Sequence, residues 1–126
     1  MPVHDRGGIF VDLKTCYEQL DGDYEDVMGR LRQEERVIKF LQLFPEDENF
    51  DLLTRALAEQ DWPVAFRAVH SIKGVALTLG LTALAASSSE LTELLRPGQP
   101  AQDLGPFYRT VKEDYEKTVA AIGALS

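Results

Sequence analysis

One short segment of this sequence, Val69-His70-Ser71-Ile72-Lys73-Gly74, carries residue types that could do chemistry at a spacing that brings them together. On a helix, where successive side chains are roughly 100° apart, His70, Lys73, Gly74 and Leu77 fall along one strip, and Val69, Ile72, Ala76 and Leu79 centre roughly a third of a turn away. The first set reads as outward, with His70 facing solvent or at the edge of the core, and the second as core-facing. An imidazole is a good nucleophile near neutral pH, because free groups of this type titrate at about 6.5 and are mostly unprotonated above it. Lys73 sets an ammonium on the same surface, where it neutralises an anion carried on the imidazole nitrogen. Gly74 stands mid-helix, where glycine costs about 1 kcal/mol relative to alanine, so something other than helix stability should favour it. Access is such a reason, since no side chain then stands between the imidazole and a reactive group brought by another protein. Together these residues suit a phosphoryl group, whose transfer demands positioning and charge neutralisation more than acid-base work. The competing reading of His70 is a solvated surface histidine.

The chain that must position this strip reads as helix throughout. Ile9, Leu13, Cys16, Tyr17 and Leu20 recur at three- and four-residue steps and predict a first helix over 9–20. Asp21-Gly22-Asp23 supplies a turn and an N-cap for a short helix over 24–31, with Val27, Met28 and Leu31 inward. Val37, Phe40, Leu41 and Phe44 form one face of a helix over 33–44 that bends or stops at Pro45. Phe50, Leu53, Ala56 and Leu57 line the next, which ends at Asp61. Asp61 then caps a core helix with Trp62 and Pro63 in its first turn, an inward stripe of Trp62, Ala65, Phe66, Val69, Ile72, Ala76 and Leu79, and Gly80 as its stop. Thr82 is a candidate cap for a helix carrying Leu84, Ser88, Leu91, Leu94 and Leu95, with small residues that admit a close neighbour, up to Arg96-Pro97-Gly98. After a loop, a last helix spans 103–125. The expected fold class is all-α: an antiparallel up-and-down four-helix bundle with additional short N-terminal helices, a single domain over 9–126 preceded by a flexible tail over 1–8.

Composition narrows the function. The 126 residues, 44% hydrophobic and 27% charged, suffice for one domain with a core of its own. A net charge of −8 disfavours nucleic acid as a partner. No apolar run is long enough for a bilayer, and the first residues carry no apolar core of a signal peptide, so no membrane association and a cytoplasmic location are expected. The lone Cys16 sits in an apolar stripe and reads as an inert, buried thiol. His4 reads as part of the tail, Glu46-Asp47-Glu48 as complementing a helix start rather than as a magnesium site, Ser87-Ser88-Ser89 as close packing, and the C-terminal Tyr and Phe residues as core. No Gly-rich phosphate loop is present, so no use of ATP by this chain alone is expected.

His70-x-x-Lys73-Gly74, with Gly80 beyond it, Ala65-Phe66-Arg67-Ala68-Val69 before it and Asp61-Trp62 at the helix start, resembles the histidine phosphotransfer (HPt) domains of bacterial phosphorelays. The resemblance covers residues 30–96 well and the ends loosely. It implies a phosphocarrier, not an enzyme with its own kinase activity: His70 takes a phosphoryl group from a receiver-domain aspartate and passes it to another receiver, and Lys73 steadies the phosphate. Arg67, Gly74 and Leu77 are then the expected partner-binding residues. Arg67 and Lys73 make a less negative window around His70. The implied partners are response-regulator receivers, including those of a hybrid histidine kinase. No cofactor or metal is expected on the chain, since Mg²⁺ belongs to the receiver, and a monomer is expected. Ser71-Ile72 also looks like the phosphotransfer module of chemotaxis kinases, although Val75-Ala76-Leu77 replaces the glycine-rich stretch usual there. The alternatives are a helical binding module without covalent chemistry and, third, a phosphoester hydrolase, for which no base, metal cluster or oxyanion device accompanies His70.

Overall fold

A computed structural model describes residues 11–125. The expected tail over 1–8, His4 and the first residues of the expected 9–20 helix lie outside them. Among the described residues seven α-helices follow one another: α1 (Leu13–Gln19), α2 (Tyr24–Leu31), α3 (Glu34–Leu43), α4 (Asn49–Ala58), α5 (Trp62–Thr78), α6 (Thr82–Leu95) and α7 (Gly105–Gly123), with a 3-10 turn over Phe44–Glu46 between α3 and α4. The all-α class is borne out. The only β pairing among the described residues is an isolated bridge of Val11 with Leu125, which joins the two ends of the described segment.

Local chemistry sets the boundaries. Asp12, Asp23 and Asp61 each accept a hydrogen bond from the amide three residues on, at Thr15, Asp26 and Val64, and so start α1, α2 and α5. The first helix therefore begins at Leu13 rather than at Ile9, because Asp12 has the extended backbone of a cap. α5 ends in a Schellman turn. The Leu81 amide donates to the Ala76 carbonyl (2.9 Å) and the Gly80 amide to the Leu77 carbonyl (3.3 Å), with Gly80 at φ +68. α4 closes in the same way around Gln60 at φ +58, so it stops at Ala58, short of the expected Asp61. Thr82 does not cap α6. The turn buries Leu81 at the cap position, Thr82 becomes the first helical residue, and its hydroxyl donates back to the Gly80 carbonyl at 3.5 Å.

α5 packs on both α4 and α6, and α6 on α7. α7 returns to α4 through Phe50, which stacks on Tyr108 and Tyr115 at 5.9 and 4.3 Å, and through hydroxyls of Thr54 and Tyr108 2.7 Å apart. Helices α3 to α7 thus share a core that includes Leu41, Leu53, Val69, Ile72, Leu84, Leu91 and Val111, each apolar side chain contributing about 1.5–3 kcal/mol on leaving water. The C-terminal aromatics are part of this packing. Cys16 is buried, its thiol donating to the Ala121 carbonyl at 3.7 Å, and burial pushes the thiol up from its ordinary range.

The C-terminal end of α5 is held from outside as well. Arg30 of α2 donates to the carbonyls of Leu77 (3.0 Å) and Thr78 (3.1 Å) while pairing with Asp26 on its own helix. A cation on the last carbonyls of a helix is favourable twice, by hydrogen bonding and by the helix dipole. The Arg30 side chain is 42% exposed, so solvent screens much of the benefit. Arg30→Ala is expected to cost about 1 kcal/mol, seen as a lower urea midpoint at unchanged slope.

Candidate functional site

Residues His70, Lys73, Gly74 and Leu77 all lie on α5, in the helix fixed by Asp61 at one end and Gly80 at the other. His70 is exposed, and so are Arg67, Gly74 and Leu77, the last at 54%. Lys73 is half-buried, and neither it nor Arg67 forms an ion pair among the described residues. Beyond the adjacent backbone of its own helix, a Cβ placed on Gly74 would meet no atom within 4 Å, so the space beside His70 is open. The strip read from the sequence is therefore on the surface, and Val69, Ile72, Ala76 and Leu79 face the core as expected.

Two features of the site come from other helices. Beside the strip runs an apolar groove of about 660 Å³, with Ser71, Gly74, Val75 and Thr78 of α5 along one side and Phe40, Leu43 and Phe44 along the other. Phe40 was expected inside with Val37, Leu41 and Phe44. It is instead 45% exposed, because it lies roughly 60° round the helix from the centre of that stripe and α3 does not close over α5. Leu43 is exposed at 51%. Large apolar side chains left in water next to a polar centre are what a protein-docking surface requires.

On the other flank is α6. Phe66 stacks almost parallel on the His70 imidazole, with ring centroids 5.8 Å apart and 6° between planes. The Arg96 guanidinium lies 5.4 Å from the centroid of the Phe66 ring and is held by Glu93 through two hydrogen bonds of 2.9 and 2.8 Å. Those hydrogen bonds, and then the charges of Arg96, Lys73 and His70, keep the Glu93 carboxyl below its ordinary range. Three cations, Arg67, Lys73 and Arg96, thus stand on the His70 side of the site, where the Glu93 carboxylate is engaged by Arg96, and Asp47 lines the groove beyond Gly74. In a chain of net charge −8 this is a local window that tolerates an anion. Phe66, Glu93 and Arg96 were not singled out for this role from the sequence. The one available signal was the spacing of Phe66, one turn before His70.

Chemically, the arrangement offers an accessible nucleophile, cations for an incoming anion and an apolar rim for a second macromolecule. No group of three or more His, Cys, Asp or Glu among the described residues is placed to hold a metal ion. No described helix is long and apolar enough to cross a membrane. Of known families, the model described as Hpt domain matches residues 38–121, more than half of the chain. No curated protein and no solved structure matches.

Proposed function

This chain belongs to the Hpt domain family, whose members carry phosphoryl groups on histidine in phosphorelays and act with receiver domains of response regulators, and from that premise we propose that His70 is the phosphoacceptor. The observation that carries this reading is the exposed His70 with Lys73 one turn on and open space at Gly74 between them and the apolar groove.

In the forward step the lone pair of the unprotonated imidazole nitrogen attacks the phosphorus of a receiver's aspartyl phosphate. The N–P bond forms as the P–O bond to the aspartate breaks, which returns a free carboxylate to the receiver and leaves the imidazole proton on the other nitrogen. In the second step a carboxylate oxygen of another receiver attacks the phosphorus, and the N–P bond breaks to restore the neutral imidazole. Lys73 steadies the phosphoryl oxygens in both directions. Arg67, Gly74 and Leu77 contact the receiver, whose body rests on Phe40 and Leu43 across the groove. Mg²⁺ belongs to the receiver. The donor is a receiver such as that of a hybrid histidine kinase, and the carrier acts as a monomer in the cytoplasm.

The test is a relay. The chain is incubated with a phosphorylated receiver, separated from it and mixed with a second, unphosphorylated one. Label that passes to the chain and on to the second receiver supports the reading. Receivers that bind the chain without ever labelling it would point instead to a binding module without covalent chemistry.

A further inference from the structure

We propose that Phe66 is a positioning residue for this transfer, a ring that braces the His70 imidazole in the orientation the incoming phosphorus requires. The inference rests on the reading of His70 as phosphoacceptor and adds a part to its machinery. An exposed imidazole on a helix is free to change rotamer, and each orientation other than the reactive one subtracts from the rate. Here a parallel ring 5.8 Å away restricts it. Offset parallel stacking is a favoured arrangement of two such rings.

The brace is itself fixed. Phe66 is half-buried and packs against the core, so one edge cannot move. The Arg96 guanidinium lies over the ring, and Glu93 fixes Arg96 through both of its oxygens. The parts come from two helices, α5 and α6, whose mutual packing is extensive, so the orientation of His70 is tied to the rigid bundle rather than to its own helix alone. An aromatic one turn before a histidine also stabilises a helix in its own right, and the test must separate that effect from positioning.

Single-turnover transfer from a phosphorylated receiver is measured across receiver concentration for wild type, Phe66→Leu, Phe66→Tyr and Arg96→Gln, with the proton resonances of the His70 imidazole recorded for each. Phe66→Leu is expected to lower the maximal rate roughly two- to tenfold, the worth of one aromatic pair, with the half-saturating receiver concentration unchanged. It should also move the imidazole resonances downfield as the ring current is lost. Phe66→Tyr keeps the ring and is expected to keep both rate and resonances. If Phe66→Leu does not fold, Arg96→Gln, which alters an exposed side chain, carries the test with a smaller loss of the same kind. A Phe66→Leu variant with shifted resonances and the wild-type maximal rate would overturn the proposal, as would a Phe66→Tyr variant as slow as Phe66→Leu. A wild type that takes no label from any receiver overturns the reading of His70 itself, a result distinct from either.

Discussion

Gly74→Leu is expected to lower the rate of phosphotransfer about a hundredfold while leaving the protein at least as stable as wild type. The two effects have opposite signs because they arise from different surroundings. Toward its own protein, position 74 is permissive: an added Cβ meets nothing within 4 Å beyond the adjacent backbone of its own helix, and the residue is exposed inside α5, a turn before its end. A side chain there recovers about 1 kcal/mol of helix propensity. Toward a partner the same position is critical, since it lies between His70 and the groove. A displacement of the reacting groups of about 1 Å is enough for a hundredfold loss. Gly74→Ala, with one carbon added, should share the gain in stability and show a smaller loss of rate. Denaturant midpoints and transfer rates on the same samples decide the matter. A Gly74→Leu protein that transfers as fast as wild type would remove access as the reason for glycine.

Gly80→Ala is expected to cost about 3 kcal/mol, combining the strain of a left-handed residue with a collision. The backbone at φ +68 suits glycine, and a Cβ would stand 2.7 Å from the Asp23 carbonyl oxygen. That neighbour is backbone and is itself held, since the Asp23 amide donates to the Gly80 carbonyl at 2.9 Å. The collision therefore separates the α1–α2 turn from the end of α5 instead of being absorbed by a flexible side chain. Urea unfolding measures the loss. A cost under about 1 kcal/mol would mean that the two turns part easily and that their contact contributes little.

The helix that presents His70 was legible because its signals are local: Asp61 caps it, Gly80 ends it, and the 3.6-residue period separates Val69 and Ile72 from His70 and Gly74. What was not legible depends on neighbours. Phe40 stands at the edge of the broad apolar face of α3 that holds Val37 and Leu41, and the incomplete closure of α3 over α5 leaves that edge in water. Phe66 reads as core from its spacing, and half of it is; its contact with His70 follows from a side-chain rotamer, and its contact with Arg96 from the packing of α6. The end of α4 escaped because Gln60 takes the left-handed conformation without being glycine. Thr82 misled for a related reason, since the buried Leu81 decided where α6 begins.

The identity of the phosphoacceptor is tested most directly by mapping the phosphate. Wild type and His70→Gln, matched for helical content and thermal midpoint, are incubated with the same phosphorylated receiver, and the label on each is measured and challenged with acid and with base. The account predicts one phosphoryl group on the wild-type chain, labile to acid and stable to base as a phosphoramidate is, and none on His70→Gln. Label on His70→Gln at the wild-type level, or wild-type label that survives acid, would contradict it.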